Sequence, residues 1–141
     1  MRLATIILLL ALSAFSYGQD TTAHHGSIKL KKKYVEADYW PRIAGKLNGT
    51  ISSAELCHPK GIYTVYPMEI KSFELHCSYL KDGILKARGH ELSDEMCKLV
   101  TALPSNAIVH FQNIVAIDDK GRELKLNSLR YTINNPPKKN P

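Results

Sequence analysis

Apolar and polar residues alternate over residues 68–80: Phe73, Leu75, Cys77 and Tyr79 fall on one side, Ser72, Glu74, His76 and Ser78 on the other. A period of two predicts a half-buried strand. Residues 107–117 read AIVHFQNIVAI and are rich in β-branched side chains. Val109, Phe111, Val115 and Ile117 share one face of this second strand, and Asn113 interrupts the set. Asp118-Asp119-Lys120-Gly121 follows as a hairpin turn, with Gly121 suited to a positive φ. Two short strands come next, residues 123–126 and 129–133, separated at Asn127-Ser128. Residues 84–88 follow the Asp82-Gly83 turn pair and complete a hairpin with the first strand.

A single run has helical periodicity. Ser93 is a good N-cap, and Asp94 and Glu95 place negative charge where the helix dipole favours it. Leu92, Met96, Leu99, Val100 and Leu103 then form an apolar face up to Pro104. Ser52 and Glu55 form a capping box before Leu56, which predicts a shorter helical turn. Gly45 and Gly49, between Ile43 and Ile51, are backbone devices for a turn. Many strands with one or two short helices predict an all-β chain folded as a β-sandwich.

The ends of the chain read differently. Residues 3–15 are almost wholly apolar after Met1-Arg2, and Ser16-Tyr17-Gly18 supplies small residues for cleavage before Gln19. This is the pattern of a secretory signal peptide over residues 1–18, and the apolar run is short of the roughly 20 residues that span a bilayer. Residues 19–40 form a basic, partly disordered arm containing Ile28, Lys29, Leu30, Lys31, Lys32 and Lys33, the candidate interaction segment. Residues 134–141, rich in Asn, Pro and Lys, read as a disordered tail. The folded domain is then residues 41–133. The chain is expected to be periplasmic or secreted and not membrane-spanning after cleavage.

Composition narrows the function classes. The chain has 141 residues, 44% of them hydrophobic, which allows one globular domain. Lys+Arg is 19 against 13 Asp+Glu, a formal charge of +6, but much of the excess sits in short runs near the ends. No nucleic-acid partner is expected on that basis. There is no Gly-x-Ser-x-Gly elbow and no phosphate-binding glycine loop, so neither an enzyme nor a cofactor is expected. The three cysteines are Cys57, Cys77 and Cys97. Cys57 and Cys77 are the candidate disulfide, closing a loop of about 20 residues for about 3 kcal/mol. Cys57-His58 and His76-Cys77 carry the alternative reading, a small secreted metal-binding protein or enzyme. Adjacent residues on a strand point to opposite faces, which weighs against one ion meeting both members of a pair. A third reading is a binder of envelope polyanions through Lys29, Lys31, Lys32, Lys33, Lys138 and Lys139.

Beside these readings stands a resemblance. PRIAGKLNGTISSAEL (residues 41–56) resembles the opening of the C-terminal periplasmic domain of the gliding-motility protein GldM, with its Pro-…-Gly-x-x-x-Gly-x-Ile-x-x-x-Glu/Asp-Leu pattern. Residues 68–75 are similar to its central strand, residues 92–103 to its helix, and residues 109–114 and 118–124 to its closing strand and hairpin. The resemblance covers about residues 41–133. It implies an immunoglobulin-like β-sandwich from a Bacteroidetes-type bacterium and an exported, non-enzymatic protein-interaction module linked to type IX secretion or gliding. Envelope or secretion-system proteins, or a second copy in a homo-oligomer, are the implied partners. The 141 residues hold no counterpart of GldM's transmembrane helix and preceding periplasmic domains, so the resemblance implies a binding surface and not a torque-bearing shaft.

Overall fold

The strand with the cleanest alternation lies in the middle of the sheet. In the computed structural model, which describes residues 34–137, β2 spans Glu69–Cys77 and buries Phe73, Leu75 and Cys77. The other strands are β1 (Asn48–Ile51), β3 (Ile84–Arg88), β4 (Ile108–Ile117), β5 (Glu123–Lys125) and β6 (Leu129–Ile133). Two short helices join them, α1 (Ser53–Leu56) and α2 (Asp94–Ala102), with a 3-10 turn over Glu36–Tyr39. The described chain is therefore mostly β, as the pattern predicts. Its strands form one mixed sheet in the order β1-β6-β4-β2-β3, with β5 also paired to β4. β1 runs parallel to β6, and the other pairings are antiparallel.

β5 and β6 act as one interrupted strand. Ile117 pairs with Glu123 and Phe111 with Leu129, so both segments keep the same register along β4 across the break at Asn127-Ser128. The hairpin turn is closed by Asp118. Its carboxylate accepts from the backbone N–H groups of Lys120 and Arg122 (both 2.9 Å) and from the Arg122 guanidinium at 2.7 Å. The Arg122 N–H bond is the leading cause that holds the Asp118 carboxyl below the usual carboxylate range. Its contribution to stability is present above the ordinary carboxylate range and fades as acid protonates it in the fold.

One strand departs from the sequence expectation. The buried residues of β4 are Val109, Phe111, Ile114 and Ala116, so Val115 and Ile117 do not share the face of Phe111. Asn113 has φ +49° and sits in a bulge. Between the pairs Glu74–Gln112 and Ser72–Val115, β4 uses three residues against two on β2. The extra residue reverses the alternation. β2 compensates between Ser72 and Ile70, where two of its residues meet one of β4, and Ile70 is buried as a result. Tyr79 also differs: β2 ends at Cys77, and Tyr79 lies in the following turn, 58% exposed.

The helices follow their capping signals. Ser52 Oγ accepts from Glu55 N–H at 3.2 Å, and Glu55 Oε2 accepts from Ser52 N–H at 2.9 Å. Ser93 Oγ accepts from Met96 N–H at 3.2 Å. In α2, Met96 and Val100 are fully buried, whereas Leu99 is only half-buried against the core. Leu56, Met96 and Val100 belong to the same buried cluster as the inner residues of the sheet, together with Ile43 from the segment before β1 and Ile62 from the loop between α1 and β2. Gly45 (φ +78°) lies in a turn, as expected, whereas Gly49 (φ +97°) has the positive φ of a backbone device but lies within β1, paired with Tyr131.

Both expected domain edges move outward. Tyr66 packs between Tyr34 (ring centroids 4.8 Å apart) and Tyr39 (4.6 Å), and its N–H donates to Asp38 O at 2.8 Å. These contacts tie residues 34–40 to the domain, ahead of the expected start at Pro41. At the other end, Asn134 and Asn135 are not part of a loose tail. Asn134 N–H donates to Ile51 O (2.8 Å). Asn135 Nδ2 donates to Val100 O (2.8 Å) and Leu103 O (3.0 Å), while its Oδ1 accepts from Ser53 N–H (3.0 Å). One side chain thus satisfies the C-terminal carbonyls of α2 and the N-terminus of α1. Asn135→Ala is expected to lower unfolding free energy by about 1–3 kcal/mol, because it strands three backbone groups. Asn134→Ala truncates an exposed side chain and should change stability by less than about 0.5 kcal/mol. Urea titration of the two variants checks the contrast; equal midpoints would contradict the clamp.

Candidate functional site

Strand alternation turns Glu74 and His76 of β2 to the face of the sheet away from the core. The pairing with β4 brings Gln112 opposite Glu74 and His110 opposite His76. β3 places Lys86 opposite Glu74 and Ile84 opposite His76, and β6 places Arg130 opposite His110. Glu74 is the hub of this surface. Its Oε2 accepts from Asn113 Nδ2 at 2.8 Å and lies 3.1 Å from His76 Nε2, and its Oε1 is 3.5 Å from Lys86 Nζ. The Asn113 and His76 bonds, in that order, outweigh burial and hold the Glu74 carboxyl below its ordinary range. Asn113 thus has two roles: its backbone makes the bulge, and its amide pins the carboxylate.

Two shallow hollows flank this hub. One, of about 510 Å³, is lined by Ser72, Glu74, Lys86, Arg88, Asn113 and Val115 among others. The bulge that removes Val115 from the core face leaves it half-buried here. The other, of about 370 Å³, is lined by His76, His110, Ser78, Gly83, Ile108 and the edge of Cys77. Ile84 and Ile108 are exposed on the same side.

The outer edge of β3 is the second feature. Cys77 N–H donates to Gly83 O (3.2 Å) and Gly89 N–H to Lys71 O (2.7 Å), so the odd-numbered residues of β3 face β2. In an antiparallel ladder the alternate residues turn the other way. Ile84, Lys86 and Arg88 therefore aim their backbone groups outward. His90, next in that row, gives its carbonyl to Ile62 N–H at 2.8 Å. Among the described residues, none pairs with the row before it.

The cysteines overturn the expected disulfide. Cys57 is bonded to Cys97, with Cα atoms 5.7 Å apart, and Cys77 is a free, buried thiol. Cys57 caps the C-terminus of α1, and α1 packs on α2, which carries Cys97. Cys77 faces the core from the sheet. The four residues of the metal-or-enzyme reading are not assembled. Cys57 is consumed by the disulfide, and His58 Nδ1 accepts from Lys60 N–H (3.1 Å) in a loop. His76 and Cys77 point to opposite faces of β2. Among the described residues, no group of three or more His, Cys, Asp or Glu is arranged to hold a metal ion. The candidate signal peptide, the arm segment Ile28, Lys29, Leu30, Lys31, Lys32 and Lys33, and Lys138-Lys139 lie outside the described residues.

Sequence reasoning missed the Glu74–His76–His110–Asn113 group. Period-two alternation does place Glu74 and His76 together, but only the β2–β4 register supplies His110 and Asn113.

The fold and surface define a class: a disulfide-linked, mixed β-sheet domain with one face packed on short helices and the other polar and open. Among the described residues no helix is long and apolar enough to cross a membrane. No protein-family model matches the chain, and a comparison with curated proteins found no match.

Proposed function

We propose that this chain is an exported, non-enzymatic protein-interaction module, of the kind that the GldM C-terminal domain exemplifies, acting in the periplasm or outside the cell. The observation that carries the reading is the outer edge of β3. Three consecutive outward positions, Ile84, Lys86 and Arg88, offer backbone donors and acceptors to an incoming strand. Lys86 and Arg88 discourage indiscriminate stacking, as charged edge residues do. Export is supported by the Cys57–Cys97 disulfide, which belongs to an oxidising compartment, and by the signal-peptide pattern of residues 1–18. The immunoglobulin-like assignment is supported by the antiparallel run β6-β4-β2-β3, which corresponds to the GFCC′ strands of a variable-type domain. A place beside the type IX secretion or gliding machinery rests on the resemblance of residues 41–133 alone.

The test is Lys86→Pro. Proline at this position removes an outward N–H and leaves the bonds to β2 intact. Cross-linking of the full chain in envelope extracts is expected to recover a discrete partner, and the variant, folded by circular dichroism, is expected to lose it. Equal recovery by the variant would overturn edge docking. Recovery of nothing above a control protein would overturn the interaction module itself.

A further inference from the structure

We propose that His76 and His110 form a two-imidazole site for a first-row transition-metal dication on the open face of the sheet. The two residues are directly opposed on adjacent antiparallel strands. Such pairs hold their Cβ atoms about 4.5–5.5 Å apart, a spacing at which two imidazoles reach one ion from the same side. Both line the same hollow of about 370 Å³, with Gly83 and Ser78 leaving room for the ion's remaining water ligands.

The second observation is the state of His76. Its Nε2 lies 3.1 Å from Glu74 Oε2, and that carboxylate is fixed in turn by Asn113 Nδ2 at 2.8 Å. A carboxylate on one ring nitrogen selects the tautomer with its proton there. The lone pair is then on Nδ1, and the ring is more basic toward a metal. This is the arrangement by which outer carboxylates orient metal-bound histidines. Among the described residues, none bonds to His76 Nδ1 or to either ring nitrogen of His110, so each ring keeps a nitrogen for a ligand.

The charges that face the pair are Glu74 and Lys86 on one side and Arg130 on the other. Lys86 lies against Glu74 and is 77% exposed along its side chain, so its charge is largely in water. Because two protein nitrogens are offered and, among the described residues, no third His, Cys, Asp or Glu completes the set, the site suits a borderline ion that accepts imidazole and keeps water, such as Ni²⁺, Cu²⁺ or Zn²⁺. It does not depend on the interaction function proposed above: the imidazoles stand on the open face of the sheet, whereas an incoming strand would pair with the backbone along the outer edge of β3.

The site exists only while β2 and β4 are paired, so metal should bind the folded state and raise its melting temperature. The probe is Ni²⁺ added to the full chain at pH 7.5, with EDTA to reverse it. A free Ni²⁺ concentration 100-fold above Kd is expected to raise Tm by roughly 10 °C. His76→Gln and His110→Gln change half-exposed residues, and each should remain folded and lose the rise. The control is His24→Ala with His25→Ala, which removes the adjacent histidines near the N-terminus and should keep it. The proposal fails if wild type shows no rise, if either Gln variant retains it, or if the His24/His25 control abolishes it.

Discussion

Loss of the Cys57–Cys97 bond is expected to lower the unfolding free energy by about 4 kcal/mol. The bond joins residues separated by 40 positions, and closing a loop of that length removes this much chain entropy from the unfolded state. The effect is large against the 5–15 kcal/mol that holds a typical domain together. Cys57→Ser with Cys97→Ser should show it in guanidinium titrations, and a reducing agent should reproduce it in wild type. Cys77→Ala removes only a small buried thiol and should cost about 1 kcal/mol, with no further loss on reduction beyond that of wild type. Non-reducing peptide mapping decides the pairing directly: a linked fragment containing Cys57 and Cys77 would refute it.

A contrast of similar size is expected at the β4 bulge. Ile114 is fully buried, and Ile114→Ala should cost about 2–5 kcal/mol through lost burial and the cavity left behind. Val115, one residue on, lines the hollow on the opposite face of the sheet. Val115→Ala should cost about 1 kcal/mol or less. Unbroken alternation from Phe111 would predict the reverse order, with Val115 in the core. Thermal or chemical melting of the two variants separates the alternatives, and comparable losses would mean that the bulge is misplaced. The contrast also bears on the polar surface, because the residue that makes the bulge, Asn113, donates to Glu74. Shifting β4 by one residue would bury Val115 and dismantle the Glu74 hub together.

The elements written most clearly in the sequence are those set by neighbours close along the chain. The strand alternation of Phe73, Leu75 and Cys77 needs only the geometry of an extended backbone. The capping box at Ser52 and the N-cap at Ser93 need only the residues three positions on. The Asp118–Gly121 turn is closed by side-chain bonds spanning four residues. Each of these was legible because its determinants lie within one turn or one hairpin of each other.

What required the tertiary structure is what joins distant residues. Cys57 has two candidate partners in the sequence, and the choice of Cys97 follows from the packing of α1 on α2. Asn135 reads as tail, yet it bridges the ends of those helices, because β6 delivers it there after pairing beside β1. Asn113 signals an interruption of its strand, but the direction of the phase change depends on the register against β2. His76 and His110 come together by the same register. Local physics thus determined which segments become strands and helices, and the long-range pairing of β2, β4 and β6 decided which residues share a face. A one-residue shift in a strand exchanges its two faces, and only the partner strand reports that shift.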